Sequence, residues 1–164
     1  MAGIMLNKPL GMQTLVATLL AALPAFADPP SAWHDGQSFR DWQLDCPGAA
    51  CPAHTSVRGS DGSEVLRLTA ATGGLPALRV TTPLPLFLPD GIALAVGDAP
   101  PWAAPWRTCT PAGCEATLAL DERLLDALRR APGGAVTLTL VDGVKVRLAF
   151  SLRGISAALD ARRG

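Results

Sequence analysis

From Phe39 onward, apolar and polar residues alternate in short runs, each closed by turn-forming residues. In Phe39-Arg40-Asp41-Trp42-Gln43-Leu44-Asp45-Cys46, Trp42, Leu44 and Cys46 share one face with polar or charged neighbours between them. That period of two marks a half-buried strand and puts Trp42 in the core. Cys51–Val57, Val65–Thr69 and Leu78–Thr81 continue the pattern, separated by the turn signals Gly59-Ser60-Asp61-Gly62 and Thr72-Gly73-Gly74. Pro83-Leu84-Pro85-Leu86-Phe87-Leu88-Pro89-Asp90-Gly91 carries three prolines, which exclude a helix and a central strand. Its apolar content predicts a buried, extended crossing between two sheets. Ile92–Val96 is a strand again. Asp98-Ala99-Pro100-Pro101-Trp102-Ala103-Ala104-Pro105-Trp106 reads as a proline-rich loop carrying two tryptophans.

Glu115–Leu120 is strand-like, and Asp121–Arg130 changes period to a helix. Its acidic residues stand in the first turn and its arginines in the last, in the sense the helix dipole favours. Leu124, Leu125 and Leu128 form its apolar stripe, and Pro132-Gly133-Gly134 ends it. Val136–Val141 and Val144–Phe150, joined at Asp142-Gly143, give the strongest hairpin signal in the chain. A helical tail is expected from about Ile155 to Arg162. Many short strands with regular turns predict an all-β fold, a β-sandwich with one or two short helices.

The first residues follow a different pattern. Lys8 is the one charge before Asp28, Leu15–Leu23 is apolar, Pro24 breaks the run, and Ala25-Phe26-Ala27 offers the small residues a signal peptidase accepts. Residues 1–27 therefore read as a secretory signal peptide cleaved after Ala27, since an uncleaved anchor needs about 20 apolar residues. The expected organisation is a signal peptide over 1–27, a flexible arm over 28–38 and one domain over 39–164. No later segment has the length and apolar character of a membrane span, and the location predicted is periplasmic or secreted.

Charge narrows the reading little. Thirteen basic and fourteen acidic residues follow Ala27, with no basic face for nucleic acid. Export changes how the cysteines are read. Cys46, Cys51, Cys109 and Cys114 form two copies of one spacing, Cys-Pro-Gly-Ala-Ala-Cys and Cys-Thr-Pro-Ala-Gly-Cys. An oxidising compartment favours two disulfides over a four-cysteine zinc site. Of the three pairings, Cys46–Cys51 with Cys109–Cys114 is favoured because each pair brackets a turn. Each such short loop is worth roughly 2 kcal/mol on a chain-entropy argument, and crossed pairings, closing longer loops, are not excluded by energy.

Catalytic patterns are missing. His34 and His54 have no partners at metal-ligand spacing, and there is no nucleophile elbow, phosphate loop or Cys-x-x-Cys redox motif. Asp41, Asp45, Glu64 and Glu115 are spread along strands as solvated-face charges. The sequence therefore assigns no catalytic residue, metal ligand or cofactor. One segment invites a contact role: Pro100, Pro101, Trp102 and Trp106, where aromatics on a rigid proline frame could anchor a partner. The competing reading folds a tryptophan back over the end of the sandwich, covering the core.

Taken in order, Trp42-x-x-x-Cys46, Pro83 to Leu94 with its Leu-Pro-x-Gly-x-x-Leu segment, the Cys109–Cys114 turn, Leu120-Asp121 with Leu124, Leu125 and Leu128, and Phe150-Ser151-Leu152-Arg153-Gly154-Ile155 resemble the invasion-associated locus B family of exported proteobacterial proteins. The resemblance implies a periplasmic or surface-associated sandwich of immunoglobulin-like architecture, with structural disulfides and no established catalytic residues. Its name comes from a locus tied to host-cell invasion, yet similar proteins occur in bacteria that invade nothing, so no role transfers with the name. Three features depart from the pattern: the tight first cysteine pair, the Trp-Pro segment, and Ile155 where an aromatic is usual. The expectation is a non-enzymatic accessory or binding protein with an unknown protein partner in the envelope or on a host surface. The alternative is a disulfide-based redox sensor using the two cysteine pairs.

Overall fold

The computed structural model describes residues 36–161 apart from 47–49, 72–73 and 84. Residues 1–27, expected to be a signal peptide, most of the expected arm and His34 lie outside the described residues. Two antiparallel sheets face each other across one apolar core, an immunoglobulin-like β-sandwich carrying two short helices.

The first alternating run is not a single strand. Ser38–Phe39 (β1) and Trp42–Leu44 (β2) pair with each other, Phe39 opposite Trp42, around a two-residue turn at Arg40-Asp41. Arg40 lies at φ 58°, a left-handed conformation that side chains other than glycine seldom adopt. The hairpin also takes in residues expected in the arm, because Gly36 N donates to Leu44 O and Leu44 N to Gln37 O. Both halves keep their apolar residues inward, so simple alternation hides the turn between them.

The large sheet continues with Ala53–Arg58 (β3), Glu64–Ala71 (β4) and Ala77–Thr82 (β5). The small sheet begins with Ile92–Val96 (β6) and Trp102–Ala104 (β7). Trp106–Thr110 (β8) and Gly113–Ala119 (β9) return to the large sheet, whose order is β1-β2-β3-β4-β5-β9-β8. Glu122–Arg130 (α1) leads to Gly133–Thr139 (β10), Lys145–Ser151 (β11) and Ile155–Asp160 (α2), and the small sheet runs β11-β10-β6-β7. From Trp102 on, the Trp-Pro segment is therefore strand apart from Pro105. β7 and β8 are one extended run broken at Pro105, where the chain leaves the small sheet for the large one.

The proline-rich crossing is only partly buried. Leu86 is inside and bridges to Leu140, and a single 3-10 turn spans Leu88–Asp90. Phe87 and Leu88, expected to be covered, are 42% and 45% exposed, because the turn swings them off the sheet.

Leu66, Leu68, Leu78 and Val80 from the large sheet meet Leu94, Val96 and Val136 from the small one, all essentially without solvent contact. α1 closes one end of the sandwich with Leu124 and Leu128, while Leu125 is only half-buried. Asp121 caps the helix, its carboxylate accepting from Leu124 N at 2.8 Å, which satisfies one of the free amides of the first turn. Arg129 at the other end is paired with Asp160 of α2 at 2.7 Å. Among the described residues no helix is long and apolar enough to cross a membrane.

Candidate functional site

Four places carry polar, sulfur or exposed apolar groups that could serve a function. The cysteines pair within each spacing, Cys46 with Cys51 and Cys109 with Cys114, each with Cα atoms 4.0 Å apart. Cys109 and Cys114 face each other across β8 and β9, Cys109 exposed on the edge strand and Cys114 buried beneath it. Gly113, in the turn they close, has φ 140°, and a side chain there would overlap the Thr82 carbonyl. The bond thus fastens the free edge strand of the large sheet to its neighbour.

The second place is the Trp-Pro segment. Pro100 and Pro101 are exposed, but Trp102 points into the core from β7, opposite Leu94, and Trp106 is half-buried on β8. Trp102 is thus not available as a projecting anchor. The Arg123 guanidinium of α1 lies 4.2 Å from the centre of its ring, a cation–π contact that seals the indole against the helix. Among the described residues neither indole N–H of Trp102 or Trp106 meets an acceptor. Next to Arg123, the β6–β7 connection and α1 enclose a cleft of about 360 Å³ whose charged groups are Asp98, Arg123, Asp126 and Arg130. Asp126 and Arg130 pair with each other, so the cleft has no concentrated charge of one sign.

The third place is the outer face of the large sheet. Gln43, His54, Thr69, Arg79 and Thr117 stand side by side on successive strands, with Ser56, Arg67, Thr81 and Glu115 in a second row. Arg67 donates to both carboxylate oxygens of Glu64, at 2.9 and 2.8 Å, and these bonds hold Glu64 below the usual carboxylate range, with Ser56 assisting at 2.6 Å. Burial, reinforced by the neighbouring Arg67 charge, lowers the His54 pKa from its ordinary 6.5. The unfolded chain therefore takes up a proton at this position at a higher pH than the folded one does. Stability contributed by neutral His54 is intact above 6.5 and drains away as pH falls through that value toward the folded pKa. Unfolding midpoints measured between about pH 7.5 and 5.5 should fall with acidification in the wild type and fall less in His54→Gln. Parallel curves would remove His54 as the cause.

The fourth place was missed by sequence reading. Phe87 and Leu88, together with Val141 (63% exposed) and Val144 (53%), stand at one end of the sandwich. Phe87 N donates to Thr139 O and Asp90 accepts from the Thr139 hydroxyl at 2.7 Å, which ties the crossing segment to the foot of the β10–β11 turn. In that turn Gly143 N donates to Leu140 O, Leu140 N to Val144 O, and Asp142 caps Val144 N at 3.0 Å. The available signal was the Val141-Asp142-Gly143-Val144 turn itself: two valines flanking a turn lie beyond the last core position of either strand.

Among the described residues no three His, Cys, Asp or Glu side chains are grouped to hold a metal ion. The model of the family described as Invasion associated locus B (IalB) protein matches residues 42–163. Two curated relatives, invasion protein B homologs of Brucella abortus strain 2308 and of Brucella abortus biovar 1 strain 9-941, are each 30% identical over 153 residues, covering 87% of this chain and 88% of theirs. The crystal structure of invasion associated protein b from Bartonella henselae shares the fold with a TM-score of 0.70 at 21% identity, covering 77% of this chain and 94% of that one.

Proposed function

Because the chain belongs to the invasion associated locus B family, we propose that it is an exported, envelope-associated accessory protein that works by binding another protein and not by catalysis. The sandwich is the frame, and the contact surface is the end formed by the Pro83–Gly91 crossing and the β10–β11 turn. The observation that carries this reading is the exposure of Phe87, Leu88, Val141 and Val144 on two segments that backbone hydrogen bonds tie together. Apolar side chains gathered at one end, in place of being scattered singly, are what a contact surface presents. The two disulfides and the amino-terminal leader support export, and the relatives are named as invasion proteins, with no enzyme name among them. The contact end proposed is distinct from the segment of Pro100, Pro101, Trp102 and Trp106, where Trp102 packs in the core.

A photo-crosslinking side chain placed at 87 or 141, and at 75 as a control, tests the reading in intact cells. Leu75 is 92% exposed in the β4–β5 connection, so it reports simple accessibility. A discrete adduct from 87 and 141 but not from 75 is expected. Equal labelling from all three positions, or none from 87 and 141, would overturn the assignment.

A further inference from the structure

We propose that the concavity between the Arg40-Asp41 turn and β3 is a binding site for a single oxyanion group, a phosphate or a carboxylate, independent of the apolar end. The site is a polar hollow of about 300 Å³ on the outer face of the large sheet, lined by Arg40, Gln43, His54, Ser56, Arg58 and Arg67. Among the described residues three arginines and a histidine thus line one hollow, with Asp41 the one carboxylate in the lining and Glu64 bonded to Arg67 and Ser56 beside it.

The donors are not used up by the fold. Arg58 spends one nitrogen on Gly62 O at 2.9 Å, and Arg67 spends Nε and one terminal nitrogen on Glu64, leaving each with nitrogens to spare. Among the described residues the Arg40 side chain has no hydrogen bond or ion pair, and the buried Nδ1 of His54 has no partner. A buried ring nitrogen without a partner is costly, and an acceptor in the hollow would remove that cost. Guanidinium groups hold phosphate or carboxylate through paired charge-assisted hydrogen bonds.

The backbone supplies a second, separate observation. The β1–β2 turn puts its first central residue at φ 58°, the position where a two-residue hairpin of this hand calls for glycine. An arginine there stores strain, and strain of this kind is kept where a side chain is needed at a fixed place. The turn is pinned on both sides: Asp41 N donates to Arg153 O, and Asp41 O accepts from the Thr55 hydroxyl at 2.7 Å. Arg40 is therefore aimed over the hollow by a rigid turn and not by a mobile loop.

The experiment titrates the protein with inorganic phosphate, and separately with acetate, at constant ionic strength, following the His54 ring nitrogens and the amides of 40–43 and 54–58 by NMR. Saturable shifts confined to these residues are expected with at least one probe, and the stronger of the two identifies the source. Arg40→Gly should weaken binding by about tenfold while raising the unfolding temperature, because the strain is relieved. Asp41→Asn should tighten binding, and Arg79→Gln, on the same face outside the lining, should leave it unchanged. Shifts that never saturate and spread over all exposed arginines would overturn the site. So would Arg40→Gly binding as well as the wild type, or Arg40→Gly losing stability together with binding.

Discussion

Gly154→Ala should cost about 3 kcal/mol or more of folding stability, a large share of the roughly 5–15 kcal/mol that holds a domain of this kind together. Gly154 is the residue before α2, at φ 95°, and a Cβ built on it would overlap the carbonyl oxygen and carbon of Phe39 and sit 3.3 Å from the Arg40 Cβ. Two penalties therefore add. The left-handed backbone is strained for any residue with a side chain, and the obstructing atoms are backbone, which cannot rotate aside. Relief requires the β1–β2 hairpin and α2 to separate. Gly143→Ala is the control, since Gly143 also has positive φ, 85°, but open space around it. It should lose only about 1 kcal/mol. Denaturant midpoints of the two variants decide the matter: comparable losses would mean that the hairpin does not depend on close approach at Gly154. The Gly154 variant should also lose the oxyanion-induced shifts, because Arg40 moves with the hairpin.

The parts legible in the sequence share one property: a local pattern that tertiary packing reinforced. The β10–β11 hairpin and α1 have strong periodicity and matching turn or cap residues, so local preference and burial agree. The cysteine pairs are legible because each brackets a turn short enough to decide its own partner. The misread stretches are those where a local rule competed with sheet pairing. Pro100, Pro101 and Pro105 argue for a loop, yet proline is tolerated at strand starts and at breaks, and the β7–β8 run uses them there. Trp102 then faces inward because Leu94 lies beside it on β6. At Arg40-Asp41 no glycine or asparagine announces the turn, and Phe39 and Trp42 both belong to the inward face on either side of it. The hollow formed by Arg40, Arg58 and Arg67 could not be read at all, because it depends on cross-strand register between segments up to 27 residues apart.

Trp42→Ala should be the most damaging of the core substitutions, with a loss of about 3–5 kcal/mol. The indole has no solvent exposure, and its Nε1–H donates to Ser151 O at 3.1 Å, 109 residues away. Trp42 belongs to β2 of the large sheet and Ser151 to the end of β11 in the small one, so one side chain both fills the core and bonds the two layers together. Alanine leaves a cavity and an unpaired carbonyl. Phenylalanine keeps most of the volume and loses only the donor, so Trp42→Phe should cost about 1–3 kcal/mol and retain the fold. The difference between the variants separates packing from hydrogen bonding. If Trp42→Phe proves as damaging as Trp42→Ala, the bond to Ser151 dominates; if Trp42→Ala stays within about 1 kcal/mol of the wild type, the hairpin is not part of the cooperative core. The first outcome would tie the β1–β2 hairpin to the small sheet through a single polar contact. The expected outcome ties it through buried area.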